Sequence, residues 1–186
     1  MKEFLINKLG REQGERLWEL ISKRLLYLKN TAEYSSRKRE KLLKNLILPR
    51  IAMYQILCEE GFSKENALSL MDEHMVIYNA IPMKEKYQLL DKLPFAYDIF
   101  RLGFTRVVST SDLWDAEIKR GKNHFSVTIS KCFWYDTFQK YGCEELCQFA
   151  CKCDKITYGS LNHIGFSRSQ TIGTGGLCCD FKFKKL

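Results

Sequence analysis

The sequence predicts an α+β protein, and three observations carry that prediction. Over the first hundred or so residues, apolar side chains recur at the three-and-four spacing of helix faces. From Leu113 onward the period shortens to two over short stretches, as in half-buried strands. The 186 residues are 45% hydrophobic and 28% charged, with 3 Pro and 11 Gly. That composition suits one ordinary core and excludes a disordered chain. A single domain over 1–186 is expected, with a helical part over 1–105 and a sheet part over 106–186 that carries a cysteine-rich helix.

Taken in order, a first helix is expected from Phe4 to Leu28, because Leu17, Leu20, Ile21, Leu25 and Leu28 form one stripe. Ser35 or Ser36 can cap a second helix, whose hydrogen-bond ladder must be interrupted near Pro49, a residue with no N–H to donate. Ile51 to Leu57 continue helically to a stop at Gly61. Ser63 caps the next helix, with Ala67, Leu70, Met71, His74 and Met75 as its inner face. Further helices flank Pro82 and Pro94. Trp114 to Lys119 and Phe125 to Ile129 alternate around the turn Arg120-Gly121-Lys122-Asn123, which reads as a hairpin. Two helices, Cys132 to Tyr141 and Cys143 to Tyr158, then part at Gly142. A strand at Ile164 to Ser169 and a final strand at Cys179 to Phe183 complete a mostly antiparallel four-stranded sheet with two inserted helices, packed against the N-terminal helical half.

The chain carries 30 Lys and Arg against 22 Asp and Glu, a net charge of +8. The densest basic run, Arg37 to Lys41, lies in a helical pattern and reads as a solvated face; no nucleic-acid-reading motif accompanies it. No apolar run approaches the roughly 18 to 20 residues of a membrane span, and the opening residues meet charge too soon for an export signal. A cytoplasmic location is expected, with reduced thiols.

Seven of the eight cysteines follow residue 131: Cys132, Cys143, Cys147, Cys151, Cys153, Cys178 and Cys179. Cys143, Cys147 and Cys151 are four apart, so a continuous helix would stack them on one face. Such convergence suits buried packing, because free cysteine behaves as a small hydrophobe, and it leaves open zinc bound through cysteines. On the last strand, Cys179, Phe181 and Phe183 share one face, and Asp180, Lys182 and Lys184 the other. Gly173-Thr174-Gly175-Gly176 reads as a flexible turn whose backbone N–H groups can approach an anion.

Three stretches carry a family likeness: Leu48-Pro49-Arg50-Ile51-Ala52-Met53-Tyr54; Cys132 through Gly142 to Cys151 and Asp154; and Arg168, Thr171, Ile172, Gly175, Gly176, Cys179, Asp180, Phe181 and Phe183. Together they resemble the L-2-amino-thiazoline-4-carboxylic acid hydrolase family, whose members look like small cytosolic bacterial proteins. The sequence departs from that pattern at Cys178, where a polar residue is common, and at Cys143, where proline is usual.

The resemblance implies ring-opening of a cyclic isothiourea or amidine to an N-carbamoyl amino acid, a hydrolase reaction at a cyclic C–N centre. Such chemistry requires a nucleophile, an acid and a cation for the substrate carboxylate. Cys132, Cys151 and Cys179 are then candidate nucleophiles, with Asp154 and Asp180 as acid/base. Arg168 would be the carboxylate clamp, and Thr171, Gly175 and Gly176 further substrate contacts. A small molecule with a carboxylate is the expected partner. Arg168 can equally pair with Asp154 or Asp180, and Asp154 can serve as a turn cap. The alternative is a non-catalytic module for a small molecule or metal, resembling the 4-vinyl-reductase-type sensor domains.

Overall fold

Helices fill the first part of the chain and a sheet the last, as the two periodicities predict. The computed structural model describes residues 1–186, which divide into two units: 1–74 with 141–143, and 75–140 with 144–186.

In the first unit, α1 (Lys2–Leu9) and α2 (Arg11–Thr31) stand where one helix was expected. The break is at Gly10, whose φ of 84° is cheap only for glycine. Gly14 then lets the two helices cross closely, since a β-carbon there would lie 2.6 Å from the backbone of Ile6. Ser36 caps α3 (Arg37–Leu42) by accepting the Arg39 N–H at 3.1 Å. Pro49 does not stop the chain. The backbone widens into a π-helical turn over Leu43–Ile47 and runs on as α4 (Leu48–Glu59), which absorbs the missing donor. Ser63 caps α5 (Lys64–Met75), accepting the Asn66 N–H at 3.2 Å. Leu17 and Ile21 of α2, Ile51 and Leu57 of α4, and Met71 of α5 are fully buried.

The second unit begins with another π-helical turn, Val76–Ala80, placed before Pro82 as its counterpart is before Pro49. It leads into α6 (Ile81–Asp91), followed by α7 (Ala96–Ser109). The sheet is antiparallel throughout, with strands β1 (Trp114–Arg120), β2 (His124–Cys132), β3 (Ile164–Ser167) and β4 (Cys179–Lys185) in the order β1-β2-β4-β3. Inserted between β2 and β3 are α8 (Phe133–Lys140) and α9 (Cys147–Tyr158).

Phe183 of β4 faces Phe125 of β2 on one side and Phe166 of β3 on the other. The Phe125 and Phe183 rings stack with centroids 4.8 Å apart. Phe100 and Phe104 of α7 cover them, each centroid 5.0 Å from that of Phe183. Tyr158 of α9 closes the cluster at 5.6 Å. Asp180, Lys182 and Lys184 lie on the other face, as the alternation predicts. The buried Asp91 at the end of α6 accepts the backbone N–H groups of Asn162 at 2.6 Å and His163 at 3.3 Å, which fixes the chain entering β3. No helix is long and apolar enough to cross a membrane. All eight cysteines are free thiols.

Candidate functional site

The start of β4, the end of β2 and the first two turns of α9 bring sulfur atoms together inside the second unit. On α9, Cys147 and Cys151 lie one turn apart, and Asp154 and Tyr158 continue the same face. The expected three-thiol stack is shorter by one member. A 3₁₀ turn over Glu144–Leu146 precedes the helix, so Cys143 is outside it and directs its Sγ to the Tyr141 carbonyl at 3.2 Å.

Cys132 ends β2 immediately before α8, so the first N–H groups of that helix, from Trp134 and Tyr135, reach its sulfur. Cys132 also meets Cys147, Cys147 meets Cys151, and Cys151 meets Cys179 across from β4. The Ile172 N–H donates to Cys179 Sγ at 3.3 Å. Four sulfurs thus stand in file, each within hydrogen-bonding reach of the next. No group of three or more His, Cys, Asp or Glu side chains is arranged to hold a metal ion.

The sulfurs of the file shift one another's titration in opposite directions. Cys151 is drawn well below the ordinary thiol range by hydrogen bonds from Cys147 and Cys179, against its burial; the Thr171 hydroxyl and the Arg168 charge help. Cys147 and Cys179 are pushed up because each keeps the proton it shares with a neighbouring sulfur. Cys132 is lowered, first by Cys147 and then by the helix N–H groups. Of the four, Cys151 is the sulfur most favoured to lose its proton.

Arg168, 13% exposed, donates Nη2 to the Cys151 carbonyl at 2.5 Å. Its Nη1 is 3.7 Å from Asp154 Oδ2 and has no hydrogen-bond partner. Burial, followed by the Cys151 charge, raises the Asp154 carboxyl to about 8, with Arg168 opposing the shift. The Asp154 side chain as a whole is 38% exposed. Tyr158, buried and hydrogen-bonded to Tyr87, lies one turn beyond Asp154.

Cys132, Cys151, Asp154, Arg168, Thr171 and Cys179 are thus brought together. Asp180 is not with them, because its strand position directs it to the opposite face. There it accepts the backbone N–H groups of Ser169 and Gln170, each at 2.9 Å, and the Ser169 hydroxyl at 2.8 Å. Gly175 and Gly176 turn their N–H groups inward, to Ile172 O at 3.1 Å and Thr171 O at 2.9 Å, so they shape the loop and present no anion cradle.

Two participants escaped the sequence reading. Cys147 reads from sequence as a packing residue or a zinc ligand and not as a partner of the nucleophile, although its spacing from Cys151 places both on one face. Gly173 sits so close to the thiols that a β-carbon on it would lie 2.9 Å from both Cys147 Sγ and Cys151 Sγ. No local pattern marks that approach, which depends on how β4 is paired.

Residues 39–183 match the model of the L-2-amino-thiazoline-4-carboxylic acid hydrolase family. The chain belongs to this family. The match takes in every thiol of the file together with Asp154, Arg168, Thr171 and Gly173. Membership in a hydrolase family implies a small-molecule substrate. No curated protein matches the chain. Among solved structures it is similar to the NMR structure of an H-NOX domain from Shewanella oneidensis in the Fe(II)CO ligation state. The two are 11% identical over 100% of this chain and 94% of that one, with a TM-score of 0.36, a likeness too low to carry fold or function across.

Proposed function

We propose that this family member opens the ring of a 2-aminothiazoline carboxylate by covalent catalysis, with Cys151 as nucleophile and Asp154 as acid and then base. The observation that carries the reading is the Cys151 sulfur, drawn below the ordinary thiol range by two thiol donors and the Thr171 hydroxyl, with the Asp154 carboxyl, raised to about 8, one turn along the same helix.

In the first step the Cys151 thiolate adds to the ring carbon between nitrogen and sulfur, and Asp154 gives its proton to the ring nitrogen. The ring C–S bond breaks and its sulfur leaves as a thiolate. Cys151 then carries the opened molecule as an S-linked isothiourea. In the second step water adds to the same carbon, the Asp154 carboxylate takes a proton from it, and the Cys151 thiolate departs. The product is an N-carbamoyl cysteine, with one water consumed and the enzyme restored. Arg168 offers Nη1, which has no hydrogen bond and lies 3.7 Å from Asp154, to the substrate carboxylate, while Nη2 stays on the Cys151 carbonyl.

The test is turnover of L-2-aminothiazoline-4-carboxylate, with intact-protein mass spectrometry on quenched samples. The expected result is ring opening with an adduct equal to the substrate mass on Cys151, both lost in Cys151→Ser. Turnover that survives Cys151→Ser overturns the assignment.

A further inference from the structure

Ring opening uses Cys147 and Cys179 only as donors to Cys151, and the file has the parts of a different chemistry. Transfer of oxygen from a hydroperoxide to sulfur requires a thiolate to attack one oxygen, hydrogen-bond donors for the two oxygens as their bond breaks, and a second thiol to capture the oxidised sulfur. All three surround Cys151. The Arg168 charge acts on the sulfur, and its Nη1 is buried without a hydrogen bond, 3.7 Å from Asp154 Oδ2. The Thr171 hydroxyl, on a residue only 3% exposed, reaches the sulfur from the loop that precedes β4. Cys179 reaches it from β4.

Geometry selects Cys179 as the capturing thiol. Cys147 and Cys151 are a helical turn apart, a spacing that holds β-carbons about 5 to 6 Å from each other. A disulfide needs them at about 3.5 to 4.5 Å, so pairing those two would distort α9. Cys132 meets Cys147 and not Cys151 in the file. Cys179 belongs to a different element and follows a loop with glycine at 173, 175 and 176, so its strand end can yield.

We propose that this protein reduces small hydroperoxides, with Cys151 as the sulfur that attacks the peroxide and Cys179 as the thiol that closes the disulfide. The Cys151 thiolate attacks the terminal oxygen, the O–O bond breaks, and the sulfur, oxidised by two electrons, becomes a sulfenic acid as hydroxide or alkoxide leaves and takes a proton. Cys179 then attacks the Cys151 sulfur, expels the sulfenic oxygen as water, and forms the Cys151–Cys179 bond. A small dithiol reductant returns both thiols. This activity rests on the thiol arrangement alone and does not depend on the ring-opening reading.

The experiment treats the fully reduced, full-length protein with one equivalent of hydrogen peroxide, with thiol counting, peptide mapping by mass spectrometry and stopped-flow rates. The expected result is loss of two thiols at a rate at least tenfold above that of free cysteine, a Cys151–Cys179 linked peptide, and recovery of both thiols with dithiothreitol. In Cys179→Ser, Cys151 should stop as a sulfenic acid that dimedone traps. A rate no faster than free cysteine overturns the proposal, as does oxidation mapped to the exposed Cys58 alone. Peptide mapping of the unmutated protein keeps the test decisive even if Cys179→Ser does not fold.

Discussion

The Arg168 guanidinium donates to the main-chain carbonyl of Cys151 at 2.5 Å, a closer contact than its 3.7 Å ion pair with the Asp154 side chain. A carbonyl within a helix normally has its partner further along the same helix, so this bond joins the chain after β3 to the second turn of α9 from outside. The arginine is therefore both an anchor and a cation, and the two roles respond differently to substitution.

Arg168→Lys keeps the charge and loses the fork. One lysine nitrogen cannot hold the Cys151 carbonyl and also meet a substrate carboxylate. The expected outcome is a Michaelis constant raised about tenfold, equivalent to about 1.4 kcal/mol, with a smaller change in turnover. Steady-state kinetics on the aminothiazoline carboxylate check this. An unchanged Michaelis constant would leave Arg168 only its structural bond.

The raised Asp154 carboxyl sets a pH limit whose sign is fixed. A group that titrates at about 8 in the folded protein and at 3.8 in the unfolded chain keeps its proton across that window only when folded. Its contribution to stability is therefore present at low pH and declines as pH rises toward 8. The same proton is the one the ring nitrogen receives, so turnover should fall as pH passes through about 8. Asp154→Asn should lower turnover and remove that limb from the pH profile.

Asp180 was a candidate acid on chemical type, and its surroundings give it other work. Burial pushes its carboxyl up, but hydrogen bonds from the Gln170 N–H and from the Ser169 hydroxyl and N–H outweigh this and hold it below the usual range. The stability it contributes is present above the unfolded value and lost as pH falls through the lower folded one. Asp180→Asn should cost about 1 to 3 kcal/mol of stability, the range for hydrogen bonds to a charged group, and leave the pH limb near 8 in place. Thermal unfolding and a pH–rate profile measured together separate the two effects.

How legible the molecule was in its sequence follows from which features are local. Phe181 and Phe183 announce their strand face by alternation, and the same alternation places Cys179 inside and Asp180 outside. Pro49 correctly marks a disturbed ladder, but the form of the disturbance, a π-helical turn, depends on neighbours that bury both sides. Gly10 breaks a stripe that looked continuous, because a positive φ leaves no mark in apolar spacing. At the site, residue types were readable and juxtaposition was not. Nothing near Cys132 in the chain says that its sulfur lies beside that of Cys147. The pairing of β2 with β4 and the return of α9 decide that.

Gly173 offers the sharpest check on the sulfur file. A β-carbon at this position would lie 2.9 Å from the Cys147 carbonyl carbon, as well as 2.9 Å from both sulfurs. Helix backbone cannot move aside cheaply, and a cysteine side chain has only one torsion with which to yield. Gly173→Ala should therefore behave as an overpacked core substitution and cost about 1 to 3 kcal/mol. The displaced sulfurs should also lose contact with each other, which removes the donors that keep Cys151 ionised. The expected signature is a lowered melting temperature together with slower alkylation of Cys151 at neutral pH, read by peptide mass spectrometry after a timed iodoacetamide pulse. A variant that melts lower while Cys151 reacts at the original rate would show that the thiolate does not depend on its neighbouring sulfurs.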